Sequence, residues 1–98
     1  AAAKGGVEGL VRAAAASLAN RGARVNAVAP GLTDTPLAEP MLKSETGRKA
    51  SEAMHPLGRV GEGDDVARAM AFLLDPDQEW VTGQVLGVDG GLGVIKAR

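Results

Sequence analysis

The chain has 98 residues, 45% of them hydrophobic, which is enough for one small domain and too little for two. Eleven basic and twelve acidic residues leave a formal net charge of -1, which excludes the basic footprint of a nucleic-acid or anionic-membrane binder. With no cysteine and one histidine, disulfides, thiolate metal sites and multi-histidine metal sites are excluded as well. Aromatic residues are scarce, with one Trp, one Phe and no Tyr, so Ala, Val and Leu must supply the packing surface. No apolar run approaches the roughly 20 residues that span a bilayer. No signal peptide is expected in the first residues, because Lys4 is followed by amphipathic sequence. These properties predict a cytoplasmic α/β protein with no nucleic-acid and no membrane partner.

Residues 1–20 predict one helix. They are rich in Ala, the best helix former, and Val7, Leu10, Val11, Ala14 and Leu18 fall on one stripe of a 3.6-residue period. Glu8 and Arg12 are placed as a surface pair one turn apart. Gly5, Gly6 and Gly9 each weaken the helix by on the order of 1 kcal/mol relative to Ala. Their small size predicts that another helix or a ligand comes close there. Gly22 suits the left-handed position after the helix. Residues 24–29 follow as a short strand, ended by Pro30-Gly31. Residues 32–61 form a long mixed segment with Pro36, Pro40 and Pro56, of the kind that serves as a lid or binding loop. A weak helical pattern runs through residues 40–54. A second clear helix begins at Gly63-Asp64-Asp65, with Asp64 as its cap and Val66, Ala69, Met70, Leu73 and Leu74 as its apolar face. It ends at Asp75-Pro76-Asp77. Trp80 reads as a packing anchor in the turn that follows. Residues 84–88 form a second strand, closed by Asp89-Gly90-Gly91. Two strands are not an independently stable sheet, so the content predicts an incomplete domain whose helix and strand faces stay partly bare.

The order helix, RVNAVAPG, long loop, helix, VTGQVLGVDGG resembles the C-terminal part of the short-chain dehydrogenase/reductase family. Ala1-Ala2-Ala3-Lys4 is similar to the end of its Tyr-x-x-x-Lys motif, with the Tyr expected one residue before Ala1. Residues 24–31 resemble its sixth strand and Pro-Gly turn, and Thr35 falls where the family has a Thr shortly after. Pro56-Leu57-Gly58-Arg59-Val60-Gly61 is similar to the family's Pro-x-x-Arg-x-Gly stretch, and residues 82–91 look like its last strand. The resemblance covers nearly the whole chain and is closest to the 3-oxoacyl-carrier-protein reductase-like branch.

The resemblance implies the C-terminal portion of a Rossmann-like doubly wound parallel sheet, with residues 1–98 as part of one domain and residues 32–61 as its substrate-loop region. It implies hydride transfer between NAD or NADP and a carbonyl or alcohol substrate. Lys4 would be the catalytic lysine, one helical turn from the tyrosine. Its ammonium favours the phenolate, and in the family it also hydrogen-bonds the nicotinamide ribose. The plain alternative for Lys4 is a solvated helix lysine. Pro30 and Gly31 would end the strand where open α/β sheets bind ligands. Pro would fix the backbone there and Gly would permit close approach. The backbone near Thr33 would hold the nicotinamide carboxamide, and Thr35 would offer its hydroxyl to the cofactor. Thr33 stands where the family more often has Ile or Val, so its side chain has no implied role. The catalytic Tyr and Ser and the Gly-rich cofactor turn are expected upstream of residue 1, in an N-terminal half that would be a partner of this portion. The chain alone is therefore expected to be inactive. A homo-oligomer, dimer or tetramer, is implied. The alternative reading is a non-catalytic structural or oligomerisation module built on the same half-fold.

Other residues have plainer readings. His55, a lone histidine before Pro56, reads as a surface or substrate-loop residue rather than a base. Arg59 reads as tying its loop to a carboxylate, and Asp64 and Asp65 as helix-capping groups rather than an acid–base pair. Gly87, Gly90, Gly91 and Gly93 are spaced loosely like a phosphate loop, but no strand-loop-helix follows them. No metal site is expected.

Overall fold

A computed structural model describes residues 2–96, with side chains from Gly5 onward. Helix α1, Ala2–Leu18, passes into a 3-10 turn over Ala19–Arg21. Gly22 closes it with φ 74°, the left-handed backbone that the sequence reserved for this glycine. Strand β1, Ala27–Pro30, and the two-residue strand β2, Thr33–Asp34, come next. Helices α2, Glu39–Leu42, and α3, Glu45–Met54, fill the long middle segment. Strand β3, Gly61–Glu62, leads directly into α4, Gly63–Leu74, and β4, Val85–Val88, is the last strand. β1 pairs with β4 in parallel, Ala27 opposite Val85 and Pro30 opposite Val88. β2 pairs with β3 in parallel, Thr33 opposite Gly61. The expected mixed α/β arrangement with parallel strands is present, and the middle segment is more ordered than its composition predicts. α3 explains the difference. Ser44 caps it by accepting a hydrogen bond from Gly47 N–H at 3.0 Å, and Lys49 pairs with Glu45 one turn away at 3.2 Å.

The first strand starts three residues later than predicted. Residues 24–26 are held largely by side-chain ties, with one backbone bond from Gly83 N–H to Val25 O at 2.8 Å. The Arg24 guanidinium donates to the carbonyls of Leu73 at 2.9 Å and Val81 at 3.2 Å, so a cation meets the negative C-terminal end of α4. Asn26 donates to Val81 O at 3.0 Å and accepts from Gln84 N–H at 3.0 Å. Together they hold the start of β1 against the entry to β4. Pro30 is the last residue of β1 rather than its breaker. Its missing N–H costs no ladder bond at an exposed edge position.

The core is small. Val11, Ala15, Leu42, Val60 and Leu73 are its buried apolar residues among those described. Ala15 packs against the turn at Gly83. Leu10 and Val7, placed on the same stripe by periodicity, are exposed, as are Phe72, Leu74 and Leu86. Trp80 is 98% exposed, so it is not the packing anchor its size suggests. It sits in a turn, and no described element lies over it. The small face of α1 is also uncovered, because a methyl group on Gly5, Gly6 or Gly9 would meet no atom within 4 Å. The radius of gyration is 15.5 Å, larger than the roughly 13 Å of a compact domain of this length. The cap of α4 is Glu62 rather than Asp64. Asp65 reaches back to accept from Glu62 N–H at 2.8 Å, the reciprocal half of a capping box.

Candidate active site

Pro30, the last residue of β1, and Gly31, Thr33 and Thr35 just beyond it lie in one short stretch. Gly31 N–H still donates to Val88 O at 3.1 Å, so the turn leaves the sheet only after both strands have ended. Leu32 O accepts from Gly61 N–H at 2.9 Å. A peptide unit is planar and trans, so the N–H of Thr33, in the same unit as Leu32 O, points away from β3. The turn thus carries a backbone donor that the short β2–β3 ladder does not use. The Thr33 hydroxyl donates to Gly31 O at 3.1 Å, which tightens the turn and gives the side chain a structural task. Thr35 is half-buried in extended backbone just before the 3-10 turn over Pro36–Ala38. Its hydroxyl makes no hydrogen bond among the described residues.

Gly31 is needed for close approach, but from inside the protein. A Cβ there would lie 3.0 Å from Asp89 Cα, Asp89 Cβ and His55 Nε2. The loop at 55–58, the turn at 89–91 and the Pro-Gly turn therefore meet at this one glycine. They line a cleft of about 330 Å3 with Leu32, Arg59, Asp65 and Val88 on its walls. On the α1 side, a second cleft of about 420 Å3 is lined by Val7, Val28, Ala29, Pro30, Val85 and Asp89. Lys4 lies in the first turn of α1, and its side chain is outside the described residues. Val7, in the same helix, lines this cleft together with Pro30.

His55 is the residue that sequence reasoning misplaced. It is 2% exposed, so it is not a surface residue, and it stands in the wall of the cleft beside Gly31 and Leu32. Nδ1 lies 2.7 Å from Ser51 O, and Nε2 lies 3.2 Å from Leu32 N. A carbonyl can only accept and a backbone N–H can only donate. The ring is therefore neutral, with its proton on Nδ1 and its lone pair on Nε2. Only the spacing to Ser51, one helical turn back, was visible beforehand. The contact to Leu32 spans 23 positions and has no sequence signal.

Arg59 does tie its loop down. Nη1 lies 2.9 Å from Asp65 Oδ2 and Nη2 3.2 Å from Oδ1. The guanidinium and, next, the Glu62 N–H hold the Asp65 carboxyl well below the usual carboxylate range. The same pairing raises the Arg59 pKa further. Asp89 is equally committed. Its two carboxylate oxygens accept from Gly91 N–H and Gly93 N–H, each at 3.0 Å. The glycine-rich end is thus a side-chain-stapled turn, not a phosphate loop.

The sequence profile of the family described as Enoyl-(Acyl carrier protein) reductase matches residues 1–93. A structure of a short chain dehydrogenase family protein from Francisella tularensis superposes with a TM-score of 0.84 at 29% identity, over 94% of this chain and 42% of that one. The chain belongs to the short-chain dehydrogenase/reductase family. Its relatives in the family include a 3-oxoacyl-[acyl-carrier-protein] reductase of Thermotoga maritima, 46% identical over 92 residues, which are 94% of this chain and 37% of that protein. A 3beta-hydroxysteroid dehydrogenase of Eggerthella lenta is 44% identical over 92 residues, 94% of this chain and 35% of its own length. A structure of the family member ElxO with NADP bound matches with a TM-score of 0.80 at 36% identity, over 88% of this chain and 35% of that one. The chain thus spans well under half the length of these family members. The parallel α/β layer described above is part of the family's Rossmann-like sheet.

Proposed function

We propose that this chain is the part of an NAD(P)-dependent oxidoreductase that holds the nicotinamide end of the cofactor and supplies the lysine of the acid–base pair. The observation that carries the reading is the Thr33 N–H, turned away from β3 at the end of a parallel strand, where open α/β sheets bind ligands. A carboxamide oxygen needs one such donor, so the turn fits the group. A bound nicotinamide gives or takes the hydride. The chain's own residues bind and tune. Thr33 N–H donates to the carboxamide, Thr35 offers its free hydroxyl to the cofactor, and Pro30 and Val7 wall the cleft beside them. Lys4 lies one turn after the position expected for the tyrosine, where its ammonium favours the phenolate and bonds the ribose. The substrate is a small carbonyl or alcohol compound. The likeness to a protein named 3-oxoacyl-[acyl-carrier-protein] reductase favours a 3-oxoacyl compound among these. The uncovered face of α1 and the exposed Leu86 and Phe72 support packing against the rest of the domain and a second subunit. A cytoplasmic homo-oligomer is the setting consistent with this reading.

The experiment is a spectrophotometric assay of NADH and NADPH oxidation, run on the protein expressed from its natural reading frame. The substrates are an acetoacetyl thioester and a panel of ketones. Turnover with one cofactor supports the reading. No turnover together with no binding of either reduced cofactor overturns it.

A further inference from the structure

The cofactor turn is held from a distance by one buried side chain. Leu32 precedes the Thr33 donor, and both of its peptide groups are held by hydrogen bonds. Its C=O is held by Gly61 N–H at 2.9 Å and its N–H by His55 Nε2 at 3.2 Å. His55 can reach because Gly31 has no Cβ, since a methyl group there would stand 3.0 Å from Nε2. The other ring nitrogen is bonded to Ser51 O, four residues back in the last turns of α3. Ser51 is itself buried, and its hydroxyl donates to Gly47 O at 2.8 Å. The imidazole thus connects α3, in the segment read as the substrate loop, to the turn read as the nicotinamide holder.

We infer that His55 is a positioning residue. As a neutral Nδ1–H imidazole bridging Ser51 O and Leu32 N–H, it sets the orientation of the Leu32–Thr33 backbone that receives the nicotinamide carboxamide. The inference rests on the proposed nicotinamide role of the turn. Without the ring, the half-buried Leu32 N–H loses its partner, and of the two ties on Leu32 only the one to Gly61 remains. The adenosine side of the cofactor is untouched, because the family resemblance puts its turn outside residues 1–98. Affinity should therefore fall for the nicotinamide half and not for the adenosine half.

The test compares the unaltered protein with His55→Ala and His55→Gln. Titrations use NADH and NADPH on one side, and ADP-ribose and 2′-phospho-ADP-ribose on the other. Loss of one hydrogen bond predicts that His55→Ala weakens the reduced cofactor about fivefold to tenfold. The matching ADP-ribose compound should change by less than about twofold, within the scatter expected for an uncoupled site. A glutamine amide can accept from Leu32 and donate to Ser51, so His55→Gln should recover most of the loss. If both halves weaken together, the residue is merely structural and the inference fails. If neither weakens, the inference fails too. Should the unaltered protein bind ADP-ribose compounds but gain nothing from the nicotinamide, the proposed role of the turn falls first, and the inference falls with it.

Discussion

Arg59 and Asp65 meet through two parallel hydrogen bonds, at 2.9 and 3.2 Å, across the start of α4. The pair joins the loop that follows His55 to the helix that follows β3. Asp65 also caps that helix through Glu62 N–H and pairs with Arg68 at 2.9 Å. One carboxylate therefore organises a corner of the cleft.

A pH dependence follows from this corner. The folded-state pKa of Asp65 is depressed, so its contribution to stability is present above its unfolded value of about 3.9. That contribution is lost as the pH falls through the lower folded value. Asp65→Asn should lower the melting temperature at neutral pH. The gap between the two proteins should stay constant down to about pH 4 and close below it. Melting curves across that range check this, and a gap that widens in acid contradicts it.

Gly31→Ala should destabilise the protein by about 1–3 kcal/mol, the usual cost of overpacking. The added methyl would meet Asp89 Cα, a backbone atom that cannot rotate away, as well as the His55 ring. Denaturant titration measures the loss. A neutral substitution would mean that the three loops do not converge there in solution.

Lys4→Met should reduce kcat by at least about 10²-fold, the low end for general acid–base groups. On the proposed reading, removing the ammonium would return the phenol of the tyrosine expected upstream toward its ordinary pKa, so the remaining rate should rise at higher pH. A rate unchanged in kcat and in pH profile would return Lys4 to an ordinary helix lysine.

The 98 residues on their own should melt broadly. Their buried apolar side chains are few, and two two-stranded ladders are short of a stable sheet. Circular dichroism against temperature should show a shallow loss of helix. A sharp, concentration-independent transition would contradict this.

Much of the framework was legible because it is local. Gly22 closing α1, the Glu8–Arg12 pair, the Asp75-Pro76-Asp77 stop and the Arg59 tie all depend on residues within about two turns of one another. The long-range ties were not legible. Arg24 reaching Leu73 and His55 reaching Leu32 join residues 49 and 23 positions apart, and neither residue type announces a partner. Trp80 shows the converse error. Residue size argues for burial, but burial needs a covering surface, and the described residues provide none at that turn. At the site, the Pro-Gly turn was placed correctly by its position after a strand. The packing at its glycine was not legible, since a Cβ there would meet Asp89 and His55, which lie far along the chain.

The most direct test of the central claim is amide hydrogen exchange at Thr33, with and without the bound nicotinamide cofactor. The Thr33 N–H points away from β3 and should exchange readily in the free protein. It should become protected by NADH or NADPH but not by the corresponding ADP-ribose compound. Exchange at Thr33 that is unaltered by a tightly bound nicotinamide cofactor would contradict the assignment of this turn.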